Sequence, residues 1–250
     1  MSNNNILKLF PQPVFKYQID NYQKINEGLV KYVYELNKKD NVGVKKSNIN
    51  GWHSKPFDFK EKENIPNKFY AHINNYIKDV FSKFGWEYNE TKVICTSMWA
   101  IINKKGNFNI EHTHPNNYLS AAYYVKAPEN CGSFRISNPN QIAKERIAIS
   151  DGRTEFNQNI AQIKPVEGDL LIFPANYLGA HEVTIVKEGS RRISYLGWFG
   201  QGSTEPLNTP VGEEFDTLKI YDPDEAPQAG VLWQKHIERV FIVSSGWSHK

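Results

Sequence analysis

Seven histidines are spread along the 250 residues, and three of them have types and spacing that could hold a metal. His112-Thr113-His114 sets two imidazoles one residue apart, just ahead of the run Leu119-Ser120-Ala121-Ala122-Tyr123-Tyr124-Val125. On a β-strand such a pair faces one way, because side chains alternate sides with period two. Glu167-Gly168-Asp169-Leu170-Leu171-Ile172-Phe173-Pro174 follows, then His181, then Arg192-Ile193-Ser194. Neutral imidazoles ligate divalent metals, and a guanidinium offers a planar fork to a carboxylate. The expectation is a mononuclear metal site inside a β-barrel, with His112, His114 and His181 as ligands and Arg192 holding a carboxylate. Ser194 shares the strand face of Arg192 and adds a hydrogen bond. By alternation Ser120, Ala122 and Tyr124 share one face, assigned to the interior. There Ser120 and Tyr124 can contact a bound cosubstrate, and small Ala122 leaves room for it. No catalytic residue beyond the metal ligands is assigned.

Each piece has an ordinary alternative. H-x-H on a surface strand is merely polar, a lone buried His181 is most often a satisfied core residue, and Arg-x-Ser is common. The weight lies in their order and spacing together. His53, His72, His236 and His249 have no partner at ligand spacing and are expected at the surface. Glu111, next to His112, is expected to face solvent.

The elements that must position these residues can be read from periodicity. Val14, Phe15, Tyr17 and Ile19 suggest an edge strand after the Leu9-Phe10-Pro11 start. Asp20 is placed to cap a helix to about Asn37, with Ile25, Leu29, Tyr32, Val33 and Leu36 at helical spacing. A polar loop follows to Asn50, and Ile65-Pro66 opens a second helix reaching about Phe84. From Thr91 the texture turns to short strands separated by Gly, Pro and Asn turns, near 93–102, 112–125, 134–136, 170–173, 181–187 and 191–199. Residues 140–162 are polar and read as an irregular loop beside the site. A helical leader before many short strands predicts a mainly β chain, a barrel or double-sheet jelly roll buttressed by N-terminal helices. One domain is expected: helical support over 1–90, a β core over 91–200, and an extension over 201–250 packed on the core.

Composition narrows the classes. Hydrophobic residues make up 40% and aromatics 13%, enough for one substantial core. A net charge of +3 without a dense basic block argues against nucleic acid as the partner. No apolar run reaches the roughly 20 residues that span a bilayer, and Met1-Ser2-Asn3-Asn4-Asn5 is no secretory leader. The expectation is a cytoplasmic protein, with no nucleic-acid or membrane partner. Cys95 and Cys131 fit neither a disulfide framework nor a zinc pattern, and are read as reduced thiols.

The order H-x-H, Gly-Asp-Leu strand ending in Phe-Pro, His, then Arg-x-Ser resembles the 2-oxoglutarate/Fe(II)-dependent dioxygenases. More narrowly, Trp99 to Asn103, His112-x-His114-Pro115, Leu119 to Val125 and Arg192-Ile193-Ser194 resemble prolyl-hydroxylase-like 2OG-Fe(II) oxygenases, as do Leu9-Phe10-Pro11 and Gly51-Trp52-His53-Ser54. The likeness runs from about residue 9 to 200. It implies a double-stranded β-helix, Fe(II) held by His112 and His181, and Arg192 with Ser194 on the distal carboxylate of 2-oxoglutarate as cosubstrate. It also implies hydroxylation of a small molecule or protein side chain coupled to decarboxylation of 2-oxoglutarate to succinate. The chain departs from the superfamily at His114, where Asp or Glu is usual; a three-histidine set is one unit more positive. That departure favours a competing reading, a cupin-like three-histidine metalloprotein working without 2-oxoglutarate as a dioxygenase or isomerase. A third reading is a non-catalytic jelly-roll binding module.

Overall fold

The structure, a computed structural model, describes residues 10–60, 63–89, 93–114, 117–138, 154, 156–175, 181–183 and 192–201. Contacts divide the chain into two units, Met1–Gly202 and Ser203–Lys250, and every described residue lies in the first. The extension expected over 201–250 falls outside the described residues, apart from Gln201.

In chain order the elements are β1 (Phe15–Gln18), α1 (Tyr22–Lys39), β2 (Asn48–Ile49), β3 (Trp52–His53), α2 (Ile65–Phe84), β4 (Val93–Asn103), β5 (Phe108–His112), β6 (Leu119–Lys126), β7 (Phe134–Ser137), β8 (Ile160–Ile163), β9 (Asp169–Pro174), β10 (His181–Val183) and β11 (Arg192–Gln201). The last eight strands pair in nested fashion: β4 with β11, β5 with β10, β6 with β9, β7 with β8, all antiparallel. Such nesting is a long hairpin rolled on itself, and it sorts the strands into two sheets. One runs β1-β9-β6-β11-β4-β3 and the other β2-β5-β10-β7-β8. The short strands β2 and β3, two residues apart, end one sheet each, so the Asn50-Gly51 turn ties the two edges together. The mainly β jelly roll expected from the sequence is the fold observed.

The six-stranded sheet is buried on both faces, which explains why β6 reads as a continuous apolar run. Its outer residues Ala121, Tyr123 and Val125 join one core with Leu29 and Val33 of α1 and Phe69, Ile73, Ile77 and Val80 of α2. Its inner residues Ala122 and Tyr124 meet Phe134, Ile136, Leu171 and Phe173 between the sheets. At roughly 1.5–3 kcal/mol per large apolar side chain removed from water, the helices are part of what holds this sheet in place.

Local chemistry sets the ends of α2. The Asn64 side chain accepts from the Asn67 N–H, Pro66 fits the first turn, and Gly85 closes the helix at φ 67°. The first helix differs from expectation: its cap is Asn21 in the left-handed conformation, with no side-chain cap bond, and not Asp20. It is secured instead from its middle. Buried Asn26 donates through Nδ2 to Val125 O at 2.9 Å and accepts from the Tyr123 hydroxyl at 2.7 Å. An Asn26→Ala chain should lose about 2–3 kcal/mol in urea unfolding, because both partners stay buried. Adding Tyr123→Phe, which deletes the stranded hydroxyl, should recover part of that loss.

One further expectation is corrected. Residues 160–163 do not belong to an irregular loop, for they pair with β7 as β8. Both cysteines are free thiols, Cys131 buried and Cys95 half-buried, as expected. No helix among the described residues is long and apolar enough to cross a membrane.

Candidate functional site

The two sheets enclose a small cavity, partly open to solvent. Strand alternation fills its wall. β4 contributes Trp99, Ile101 and Asn103; β6 contributes Ala122 and Tyr124; β11 contributes Ser194 and Leu196. These line up across the sheet, with Ser194 beside Tyr124 and Ile101, and Leu196 beside Ala122 and Trp99. The inward face assigned to Ala122 and Tyr124 is the one observed.

From the other sheet come Asn109 and His112, both lining the cavity although three residues apart. A regular strand would turn them to opposite faces. A bulge resolves this: His181 lies opposite His112 and Val183 opposite Asn109, so three residues of β5 span two of β10.

His112 is the last residue of its strand, and its Nδ1 lies 2.7 Å from Ile110 O. A carbonyl only accepts, so Nδ1 carries the proton and Nε2 keeps a lone pair. Burial holds its pKa below the usual histidine value. His114 lies beyond the strand's end, so simple alternation does not place it. Its backbone N–H donates to Ala175 O at 3.3 Å, and its Nδ1 sits 2.7 Å from the Ser120 hydroxyl. Ser120, expected on the cosubstrate, is thus hydrogen-bonded to His114. Burial, then the neighbouring His112, pushes the His114 pKa down to about 3. The two rings meet edge to face with centroids 4.8 Å apart. Glu111 is exposed, as expected.

Among the described residues no third His, Cys, Asp or Glu side chain joins this pair. His181 is placed through its backbone as the cross-strand partner of His112; directly opposed residues share a sheet face. Two neutral imidazoles, one with its lone pair fixed by a backbone hydrogen bond, are a donor set suited to a first-row divalent metal. Arg192 is placed in the same way. It pairs with Asn103, whose side chain lines the cavity, so position 192 is on the inward face.

These buried neutral histidines predict a pH dependence. The unfolded chain takes up protons that the folded one refuses, so stability is full above the ordinary histidine pKa and is lost as pH falls from there towards 3. The urea midpoint should drop between pH 7 and pH 4. In His114→Asn, which carries no titrating group at 114, the drop should be shallower.

Periodicity missed several residues of the site. His53, expected at the surface, is buried and stacked on Trp99 with ring centroids 5.5 Å apart. It was misplaced because β3 is two residues long and shows no periodicity. His72 is exposed, as expected. Asn103, Asn109 and Ser47 also line the cavity. The sequence signal available was polar residues in strands otherwise apolar on that face.

Residues 97–196 match the protein family described as "Putative 2OG-Fe(II) oxygenase". No curated protein matches the chain. Among solved structures, it is similar to a Pseudomonas putida prolyl-4-hydroxylase (14% identity, 77% of this chain and 94% of that one, TM-score 0.55). It is also similar to a Trichoplax adhaerens prolyl hydroxylase in complex with a hypoxia inducible factor oxygen degradation domain peptide (13%, 79% and 87%, TM-score 0.57). A third is HygX from Streptomyces hygroscopicus with nickel and 2-oxoglutarate bound (10%, 76% and 83%, TM-score 0.52). At such identities these likenesses bear on the fold. The resemblance read from the sequence is to the same family that matches residues 97–196, a segment that spans β4 into β11.

Proposed function

We propose that this chain, whose barrel is that of a 2OG-Fe(II) oxygenase, hydroxylates a small molecule or protein side chain while decarboxylating 2-oxoglutarate to succinate. The observation that carries the reading is the pairing of His112 with His181 across β5 and β10, at the wall of a cavity whose other side presents Tyr124 and Ser194. In this reading His112, His181 and His114 hold Fe(II). The metal, when bound, supplies the oxygen chemistry of the family; the protein supplies position and dryness. Nδ1 of His112 is pinned by Ile110 O and that of His114 by Ser120, so both rings are held in one orientation before any metal arrives. Arg192 pairs with the distal carboxylate of 2-oxoglutarate, and Ser194 and Tyr124 donate to its oxygens. Among the described residues the Ser194 hydroxyl has no other partner. Apolar Leu196, Ala122 and Phe134 keep the remaining wall dry.

His114 favours a second reading, the three-histidine metalloprotein that works without 2-oxoglutarate. One experiment separates the two. The full chain is loaded with Fe(II), supplied with 2-oxoglutarate and oxygen without any added substrate, and succinate is measured. Metal-dependent succinate formation supports the oxygenase. Absence of both turnover and calorimetric 2-oxoglutarate binding would leave the second reading standing.

A further inference from the structure

One buried histidine has no part in the metal reading. His53 is 7% exposed and belongs to β3, at the edge of the six-stranded sheet. Its cross-strand partner is Ile101, whose side chain lines the cavity, so position 53 lies on the inward face. Its ring is parallel to that of Trp99, another wall residue, with 8° between the planes. Burial chiefly, then Lys46 and His112, hold its pKa below the ordinary histidine value, which sets both within electrostatic reach of the ring. His53 therefore borders the cavity at the seam where the edges of the two sheets meet.

The surrounding chain holds this ring still. Ser54 N donates to Ala100 O at 2.9 Å, and Ser54 Oγ accepts from Ala100 N at 3.0 Å, so a hydroxyl completes the ladder beside it. On the other side Val44 N donates to His53 O at 2.9 Å. A Cβ on Gly43 would come within 2.3 Å of that carbonyl, at φ 64°, so only glycine lets the turn close there. His53 Nδ1 lies 2.6 Å from Ser54 O. A carbonyl only accepts, so Nδ1 carries the proton and Nε2 keeps the lone pair. Among the described residues nothing donates to Nε2, which is not sealed from solvent. An acceptor fixed by a stack and a hydrogen bond, in a buried residue, costs free energy until a donor completes it.

The neighbourhood decides what kind of donor. On the seam side the described wall is Ser47, Trp99, Ile101 and Asn109, none of them charged. An ammonium group brought here would lose its water without a counter-charge and would face the repulsion of Lys46. A carboxylate has no proton to give to a lone pair. A neutral N–H or O–H meets neither objection. We infer that His53 contacts the substrate, its Nε2 accepting a hydrogen bond from a neutral N–H or O–H and holding that molecule at the seam beside His112. The inference rests on the proposed oxygenase reading and adds a substrate class to it, uncharged amides or alcohols. It also gives a function to β3, which lies outside the matched residues 97–196.

The test is nitrogen NMR of the full chain, labelled at histidine, with Zn(II) and 2-oxoglutarate present. The His53 Nε2 signal is identified by its loss in His53→Gln. Three probes are titrated: N-methylacetamide and 2-propanol, each with one donor, and N,N-dimethylacetamide, close in shape to the first but with none. A donor probe should move the Nε2 signal to saturation and bind about tenfold tighter than N,N-dimethylacetamide, the worth of one hydrogen bond to a buried acceptor. Which donor binds tells amide from alcohol. In His53→Phe, which keeps a ring on Trp99, that advantage should vanish; His53→Gln, with an amide oxygen as acceptor, should recover part of it. An Nε2 signal that neither donor moves, or an advantage that survives His53→Phe, would overturn the assignment. Should His53→Phe fail to fold, the wild-type comparison of N-methylacetamide with N,N-dimethylacetamide still decides it. A chain that forms succinate while its Nε2 signal stays put loses this inference alone. A signal that moves in a chain that neither binds 2-oxoglutarate nor forms succinate sinks the oxygenase reading instead.

Discussion

Replacing His112 by Ala should reduce Fe(II)-dependent succinate formation more than about 100-fold while the unfolding free energy in urea falls by only about 1 kcal/mol. Removing a residue that merely orients a metal ligand commonly costs 10–100-fold, and removing the ligand itself costs more. Stability responds differently because His112 is half-exposed at the end of a strand whose pairing is made by backbone groups. The lost Nδ1 bond to Ile110 O is worth about 1 kcal/mol. The same split between activity and stability is expected for His181→Ala, its partner in register. His114→Ala separates two designs. If His114 is a ligand, metal affinity collapses as it does for His112→Ala; if it only packs between His112 and Ser120, stability falls and the metal stays. Metal titration followed at equilibrium reads the first quantity, and urea unfolding the second. Normal succinate formation by His112→Ala would contradict the site.

How much of this was legible in the sequence depends on the range of the signal. The second helix was read correctly from Ile65 to Phe84 because its stripe, its Asn64 cap and its Gly85 stop are all local. The first helix was read with the wrong cap, since Asn26 and Tyr123 hold it from positions ninety-seven residues apart. The long strands β4, β6, β9 and β11 announced themselves as apolar runs, being buried on both faces. The short ones did not: β3 and β8 exist only because a partner strand supplies their hydrogen bonds. That is why His53 was assigned to the surface and Ile160 to a loop. The site shows the same division. H-x-H marked two rings that the structure brings together, but the alternation used to aim them fails at the end of β5. A bulge aims His112, and Ser120 aims His114. Nothing in the local sequence could announce that Ser47 reaches the cavity, because its place depends on the two sheet edges meeting at Gly51.

Arg192→Ala should raise the 2-oxoglutarate concentration needed for half-maximal turnover about 100-fold, with metal affinity changed no more than a few-fold. The placement behind this is positional. Arg192 opposes Asn103 across β4 and β11, and Asn103 lines the cavity. A charge-assisted bond is worth about 1.5–3 kcal/mol, and a bidentate guanidinium–carboxylate pair lies at the upper end of that range. Since 1.4 kcal/mol is tenfold, the loss is about two powers of ten. Lys keeps the charge but not the fork, so Arg192→Lys should fall between. In the proposed function the histidines hold the metal and Arg192 holds the distal carboxylate, so the two affinities should separate. Adding Ser194→Ala to Arg192→Ala should cost less than Ser194→Ala alone, because once the carboxylate is released its second donor has nothing to hold. If 2-oxoglutarate dependence survives Arg192→Ala unchanged, the cosubstrate is held elsewhere.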